Sequence, residues 1–216
     1  MNVISLKGVI PKVFDGHVPM NPISDVWGHD LSFERGRSYI VKAASGRGKS
    51  SLCSYIYGLR KDYLGEITFD GRRIENIPNF EWDEIRQRSL GILFQDLKLF
   101  EELDAVENVL IKSSLTSYKS RSEIIALLSQ LGLGNQLSRP VGLMSFGQQQ
   151  RVAFVRMLSQ PADFWLLDEP VSHLDDENAL IMSQILSSEA KRNNTAVIVT
   201  TIGRDLPYNY DKTLML

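Results

Sequence analysis

Residues 38–51 read SYIVKAASGRGKSS, an apolar strand-like run followed directly by a glycine-rich loop and the start of a helical pattern. At a strand-to-helix junction, successive backbone N–H groups converge on one point and favour an anion there. The residues expected to surround that point are Ser45, Gly46, Arg47, Gly48, Lys49, Ser50 and Ser51. Lys49 suits the β- and γ-phosphates of a nucleotide, and the Ser50 hydroxyl suits Mg²⁺. The loop therefore predicts a nucleotide-phosphate site, although Ala43 occupies the first glycine position of the pattern GxxxxGK[ST].

Two adjacent acids, Asp168 and Glu169, follow the apolar run FWLL at 164–167. Such a run predicts a buried strand, and ligands of open α/β sheets bind at the carboxyl ends of the strands. Side chains alternate along a strand, so the two acids are expected to have different roles. Asp168 is a candidate for holding Mg²⁺ through its water shell, and Glu169 for polarising the water that attacks the γ-phosphate. The competing interpretation is that the pair merely ends a strand at the surface.

The order of strand-like and helix-like segments predicts an α/β protein. Residues 3–14 and 24–33 alternate in the manner of antiparallel strands, and 66–74 reads as a hairpin turning at Asp70-Gly71. Short apolar strands are predicted at 38–43, 90–94, 164–168 and 195–201, and helices at 49–59, 81–90, within 101–160, and at 175–192. The last two strands, separated by a helical stretch, predict a parallel pair joined by a crossover.

The segment 144–152, MSFGQQQRV, resembles the LSGGQ signature and its QQRV continuation in ABC ATPases. The resemblance implies a P-loop NTPase core with an N-terminal antiparallel β subdomain and an inserted helical subdomain. It implies one domain over 1–216, with the α/β core at about 1–94 and 161–216 and the helical signature subdomain at about 95–160. Signature residues of the family, here Ser145, Gly147 and Gln148, bind the terminal phosphate of a nucleotide held by the other subunit. The implied assembly is a two-fold dimer, most simply a homodimer, that encloses two ATP molecules.

Further segments resemble family motifs in the family's order. Gln95 within ILFQD resembles the Q-loop residue that contacts Mg²⁺ and the attacking water. Asp175 within SHLD resembles the D-loop residue that bridges subunits, and it suits a helix N-cap equally well. Phe14 is the candidate for stacking on adenine, with Val13 and His17 as alternatives. The stretch 84–109 is most similar to the lipoprotein-release, macrolide-export and cell-division group.

Composition limits the partners. A chain of 216 residues with a net charge of −2 and no long run of like charge does not predict nucleic-acid binding. One cysteine, Cys53, excludes an internal disulfide. No signal peptide is recognised, and the longest apolar runs fall far short of the roughly 20 residues that span a bilayer. The resemblance then implies a cytoplasmic protein, peripheral on the inner face of the cell membrane, bound to a separate integral membrane permease-type subunit.

The sequence departs from the family at three positions. Thr201 stands where the family has a histidine that contacts the γ-phosphate, Phe146 replaces the first signature glycine, and Ala43 replaces a loop glycine. Threonine donates one hydrogen bond but carries no positive charge, so slow hydrolysis is expected. The leading interpretation is an ATPase subunit that powers a membrane partner. One alternative is a regulatory module that dimerises on ATP with little hydrolysis. Another is a soluble ABC protein of DNA repair or translation, which the absence of a coiled-coil insertion or second cassette disfavours.

Overall fold

A parallel sheet of five strands forms the centre of the protein. The computed structural model describes residues 1–14 and 24–216, and the strand order in this sheet is β6-β7-β8-β3-β9. The strands are β3 (Ser38–Lys42), β6 (Leu90–Leu93), β7 (Phe164–Asp168), β8 (Ala196–Thr201) and β9 (Lys212–Met215). Because all five run the same way, the ends of β3, β7 and β8 meet at one edge of the sheet.

A second sheet of four antiparallel strands, ordered β2-β1-β4-β5, covers part of the first. Its strands are β1 (Val3–Pro11), β2 (Leu31–Glu34), β4 (Tyr63–Phe69) and β5 (Arg72–Arg73). The turn between β4 and β5 contains Asp70 and Gly71, both with positive φ (49° and 82°). Two successive residues of this kind give a turn that matches the twist of the flanking strands, as the hairpin prediction required.

The helices are α1 (Lys49–Ile56), α2 (Asn79–Arg88), α3 (Ala105–Ser113), α4 (Arg121–Gln130), α5 (Phe146–Leu158) and α6 (Asp176–Asn193). Three of them, α3, α4 and α5, lie within the stretch where helical spacing predominates in the sequence. Each of these three begins with a capping box, in which an N-cap side chain and a Glu or Gln three residues later satisfy two backbone N–H groups. Among the described residues, no helix combines the length and apolar character needed to cross a membrane.

Apolar side chains pack against both faces of the parallel sheet. On β7, Phe164 and Leu166 join the cluster under the antiparallel sheet, α1 and α2, whereas Trp165 and Leu167 join the cluster under α3 to α6. This alternation is the ordinary consequence of strand geometry. Strands buried on both faces read as continuous apolar runs, which explains why FWLL at 164–167 carries no polar residue.

A buried ion pair joins the loop between α3 and α4 to α6. The Lys119 ammonium lies 2.8 Å from the Glu189 carboxylate, and the Lys119 side chain is only 3% exposed. Arg192, one turn further along α6, contacts the same carboxylate oxygen at 2.8 Å. This pair fixes the loop that follows α3 to the long helix of the core.

The structure confirms the α/β class and the two kinds of sheet, and corrects two details. The strand predicted at 24–33 is reduced to β2, because the Ser24 hydroxyl accepts the N–H groups of Val26 (3.1 Å) and Trp27 (2.8 Å) and Gly28 has φ of 78°. These features form a turn in place of an extended chain. The short edge strand β9 was not predicted.

Candidate functional site

The phosphate loop connects β3 to α1, and its glycines adopt backbone conformations that favour glycine. Gly46 and Gly48 have φ of 76° and 94°, and α1 begins at the next residue, Lys49. The Lys49 side chain is 5% exposed, and its ammonium donates to the carbonyl oxygens of Ala44 at 3.1 Å and Ala43 at 3.4 Å. The backbone of Ala43 does not have positive φ, so its Cβ introduces no strain there.

Trp27, which no sequence motif identified, packs against this loop. Its indole Nε1 donates to the carbonyl oxygen of Arg47 at 3.0 Å. A Cβ added to Gly48 would lie 3.2 Å from the indole ring, so the ring and the loop backbone are in direct contact. Trp27 is 5% exposed and packs edge-on against Tyr55 of α1 at a centroid distance of 6.3 Å. No motif identifies it, because its role depends on the fold of the segment before β2.

Asp168, the last residue of β7, is buried and held in one orientation. Its carboxylate oxygen accepts a hydrogen bond of 2.5 Å from the Thr200 hydroxyl on the adjacent strand β8. Short O–H···O⁻ bonds are strong because the acceptor is charged. The neighbouring thiol of Cys53 is buried, and burial, with the Asp168 charge beside it, raises the pKa of the Cys53 thiol well above its usual value, so this thiol stays protonated.

The backbone of Glu169 has φ of 52°, a conformation that non-glycine residues adopt rarely. Several hydrogen bonds hold it there: its N–H donates to Thr200 O at 3.0 Å, and its carbonyl oxygen accepts from Gln150 Nε2 at 3.1 Å and from the Ser172 hydroxyl at 3.2 Å. Backbone strain of this type persists only where the surroundings determine it, and it concentrates at functional sites. The Glu169 carboxylate lies 3.8 Å from the Lys49 ammonium.

The environment of Glu169 changes its acidity. Burial raises the pKa of the Glu169 carboxyl above its ordinary value, the Lys49 ammonium opposes the rise, and the nearby Asp168 charge adds to it. His173 also opposes the rise, which places that imidazole within electrostatic reach of the carboxylate. A glutamate with a raised pKa close to a lysine is suited to accept a proton.

Two adjoining cavities contain most of the predicted nucleotide residues. The smaller, of about 270 Å³, is lined by Ser45, Gly46, Gly48, Lys49, Ser50, Ser51, Gln95, Glu169 and Ile202. The larger, of about 610 Å³, shares Ser50 and Gln95 with it and includes Asp168, Phe146 and His173. The Ser50 hydroxyl and the Gln95 side-chain oxygen are 3.5 Å apart. Hydroxyl, amide and carboxylate oxygens thus converge here, and these are the ligands that Mg²⁺ prefers.

The predicted contact of Thr201 with the γ-phosphate stays a prediction, and the structure gives the surroundings of this residue. It is the last residue of β8, only 3% exposed, and its hydroxyl donates to the carbonyl oxygen of Arg204 at 2.8 Å. The next residue, Ile202, is 50% exposed and lines the phosphate-loop cavity. Thr201 is buried because β8 is covered on both faces along its whole length, and it does not line the phosphate-loop cavity, whereas Ile202 does. An isoleucine offers neither charge nor hydrogen bond to a phosphate.

The signature-like residues lie at the start of α5. Ser145 is the exposed N-cap, its hydroxyl accepts the N–H of Gln148 at 3.3 Å, and its own N–H donates to Gln148 Oε1 at 2.9 Å. The Ser145 hydroxyl proton remains available to an outside acceptor, and the first N–H groups of a helix attract anions. A Cβ on Gly147 would lie 2.7 Å from the carbonyl oxygen of His173, so glycine is required for this close approach. Ser145, Gly147 and Gln148 line neither cavity described above.

The remaining predicted residues lie apart from the cavities. Asp175 is the exposed N-cap of α6, where it accepts the N–H of Asn178 at 2.8 Å, and these hydrogen bonds lower the pKa of the Asp175 carboxyl. Phe14 lies in a short 3₁₀ turn after β1 and packs partly against the core, while Val13 is 78% exposed. His17 lies outside the described residues. The side chain of Phe14 lines neither cavity, so its contact with adenine stays a prediction.

Comparisons with known proteins agree on one family. The family model described as "ABC transporter" matches residues 27–172. The lipoprotein-releasing system ATP-binding protein LolD of Psychrobacter arcticus is 32% identical over 221 residues, covering 100% of this chain and 96% of the relative. The uncharacterized ABC transporter ATP-binding protein YbbA of Escherichia coli K12 is 32% identical over 218 residues, covering 100% of this chain and 94% of the relative.

Solved structures give the same result. The dimeric structure of a bacterial ABC transporter cassette has a TM-score of 0.75 and 27% identity, and the match covers 91% of this chain and 87% of that one. A dimeric post-hydrolysis state of the cassette, bound to ADP and Pi, has a TM-score of 0.75 and 26% identity with the same coverage.

Proposed function

From the premise that this chain belongs to the ABC transporter family, we propose that it is an ATP-binding subunit that hydrolyses ATP to power a separate membrane subunit. The observation that carries the proposal is the convergence of Lys49, Ser50, Gln95, Asp168 and Glu169 at two adjoining cavities. Together they provide a cation for phosphate, oxygen donors for a hard metal ion, and a buried carboxylate. This combination is the one that phosphoryl transfer requires.

Mg²⁺ fits the oxygen donors of Ser50, Gln95 and Asp168, with Asp168 acting through water. When bound, the ion would neutralise charge on the β- and γ-phosphates. The Thr200 hydroxyl keeps the Asp168 carboxylate in one orientation for this purpose. Lys49 is already near the loop carbonyls, so its ammonium needs only to exchange those acceptors for phosphate oxygens.

Glu169 is the proposed general base. Its constrained backbone fixes where the carboxylate begins, and its distance of 3.8 Å from the Lys49 ammonium supports a role beside the γ-phosphate. Because burial raises the pKa of this carboxyl, kcat should fall on the acid side at a higher pH than for an ordinary glutamate. A positioned base of this kind contributes roughly 10²- to 10⁴-fold in rate.

A dimer is the proposed active form, most simply a homodimer with two ATP molecules at its interface. Ser145 and Asp175 are exposed and do not line the phosphate-loop cavity of their own chain, so both are available to a second subunit. The similarity to cassettes described as dimeric supports this arrangement. The boundaries of the helical signature subdomain, about 95–160, and the role of Gln148 as a nucleotide contact are part of the same proposal.

The membrane partner is proposed from the relatives. The LolD protein is described as part of a lipoprotein-releasing system, and this chain aligns with it over its full length. We place the chain on the cytoplasmic face of the membrane, held there by a permease-type subunit. The cargo contacts belong to that subunit.

A second candidate function is a nucleotide-gated module with little hydrolysis. Ile202 favours it, since the residue that lines the phosphate cavity after β8 has no polar group. In this version ATP would still close the dimer, and the signal to the partner would be the closure itself.

The test measures ATP binding by calorimetry, turnover by phosphate release, and dimer formation by light scattering. The variants are Lys49→Ala, Glu169→Gln and, as a control on an exposed surface away from the site, His29→Ala. We expect Lys49→Ala to lose ATP binding, Glu169→Gln to bind ATP and accumulate as a dimer without turnover, and His29→Ala to match the unmodified chain. ATP-dependent dimers with no turnover in the unmodified chain would favour the second candidate, and no ATP binding at all would refute both.

A further inference from the structure

His173 and Phe146 form a contact between the loop after Glu169 and the start of α5. Their ring centroids are 4.3 Å apart with an interplanar angle of 57°. Phe146 replaces a glycine of the family signature, so this ring contact accompanies one of the sequence departures. Both side chains line the larger cavity, together with Ser50 and Asp168.

A hydrogen-bond chain fixes the imidazole. The Ser172 hydroxyl lies 2.8 Å from His173 Nδ1 and donates to the carbonyl oxygen of Glu169 at 3.2 Å. A serine hydroxyl has one proton, so if that proton goes to the carbonyl, Nδ1 must be the donor in the other bond. Among the described residues none pairs with the second ring nitrogen, Nε2. When both ring nitrogens carry a proton, Nε2 is a charged hydrogen-bond donor.

The charges around the cavities show why such a donor matters. Ile202, the residue that lines the phosphate cavity after β8, supplies no hydrogen bond. Lys49 supplies positive charge from the loop side. His173 lines the larger cavity together with Ser50 and Asp168, and it is within electrostatic reach of Glu169. A phosphate that extends into this cavity beside Ser50 would therefore meet the imidazole.

We propose that His173 contacts the terminal phosphate of the ATP bound by its own chain and stabilises the charge that develops there, with Phe146 as the residue that positions it. The proposal rests on the proposed ATPase function. His173 lies in the loop after Glu169 and supplies the hydrogen-bond donor that the Ile202 side chain cannot supply. Phe146 packs against the imidazole ring at a centroid distance of 4.3 Å and so restricts the orientations that the ring can adopt. Gly147 allows the two segments to approach this closely.

The experiment uses the full chain with His173→Ala, Phe146→Ala, the double variant, and His29→Ala as the matched histidine control. The readouts are the Kd for ATP, kcat, trapping of ADP with vanadate as a mimic of the transferring phosphoryl group, and the melting temperature. We expect His173→Ala to lower kcat about tenfold and to abolish vanadate trapping, while the Kd for ATP rises less than threefold. Phe146→Ala should lower kcat about threefold alone and have no further effect in the His173→Ala background.

The outcomes separate the inference from the function on which it rests. If the unmodified chain neither binds nor hydrolyses ATP, the proposed function fails. If the unmodified chain is active and His173→Ala retains its kcat and vanadate trapping, this inference alone is overturned. Additive effects of the two single variants would likewise overturn the positioning role of Phe146, and a parallel fall in melting temperature and kcat would identify a purely structural contact.

Discussion

Replacing Trp27 with phenylalanine should weaken ATP binding with little loss of stability. Phenylalanine keeps an aromatic ring against Gly48 but cannot donate to the carbonyl oxygen of Arg47, a hydrogen bond of 3.0 Å. One such bond contributes about 1 kcal/mol net. If it orders the phosphate loop for its ligand, its loss corresponds to an approximately fivefold rise in the Kd for ATP.

The matched control is Trp82→Phe. Trp82 is 4% exposed and packs against Gly58 and Phe69, beyond the opposite end of α1 from the phosphate loop. Titration calorimetry with Mg-ATP and thermal unfolding should be measured on both variants. We expect Trp82→Phe to lower the melting temperature while leaving the Kd within twofold. Equal Kd values for Trp27→Phe and the unmodified chain would refute the supporting role of the indole N–H.

Three further substitutions test other parts of the site and core. Ile202→His should raise kcat several-fold, whereas Thr201→His should mainly lower the melting temperature because it places a larger ring at a 3% exposed position. Phosphate release gives kcat and calorimetry gives the melting temperature. The opposite pattern would identify Thr201 as the residue that faces the ligand. Thr200→Val removes the hydroxyl that orients the Asp168 carboxylate, the proposed Mg²⁺ ligand. The Kd for ATP should therefore rise with Mg²⁺ present and stay unchanged in EDTA, and equal changes in both conditions would contradict this. Lys119→Met leaves Glu189 without its buried partner and should lower the free energy of unfolding, measured in urea, by about 3 kcal/mol, or by less if Arg192 compensates. The double variant Lys119→Met with Glu189→Leu should recover most of this loss of stability.

The backbone of the site could be predicted from the sequence because its motifs carry their own geometry. A glycine-rich loop between a strand and a helix can fold in few ways, and Lys49 opens α1 as the pattern required. The acids after FWLL lie at the carboxyl end of β7, with Asp168 as its last residue, because the apolar run predicts the strand and therefore its end. The predicted Asp70-Gly71 turn likewise depends on two residues that tolerate positive φ.

Side-chain direction was harder to predict, because it depends on contacts between distant segments. Thr201 and Ile202 differ by one position, and only the covering of both faces of β8 shows that Thr201 is inside. The segment before β2 alternates like a strand, but the Ser24 hydroxyl accepts hydrogen bonds from two of its N–H groups and the chain turns there. Trp27 then packs against the phosphate loop. The contact of Phe146 with His173 joins residues 27 apart in the chain, which no local pattern reveals.

The signature helix and the proposed general base are joined by a short chain of hydrogen bonds. Gln150, in the second turn of α5, donates to the carbonyl oxygen of Glu169, and Ser172 donates to the same oxygen. Since these contacts help to hold the Glu169 backbone in an unfavourable conformation, a shift of α5 would be transmitted to that backbone through the Gln150 side chain. An ATP molecule that bound at the N-terminus of α5 from a second subunit would therefore act on the base of the first. Under the proposed function, this strained residue would couple dimer closure to hydrolysis.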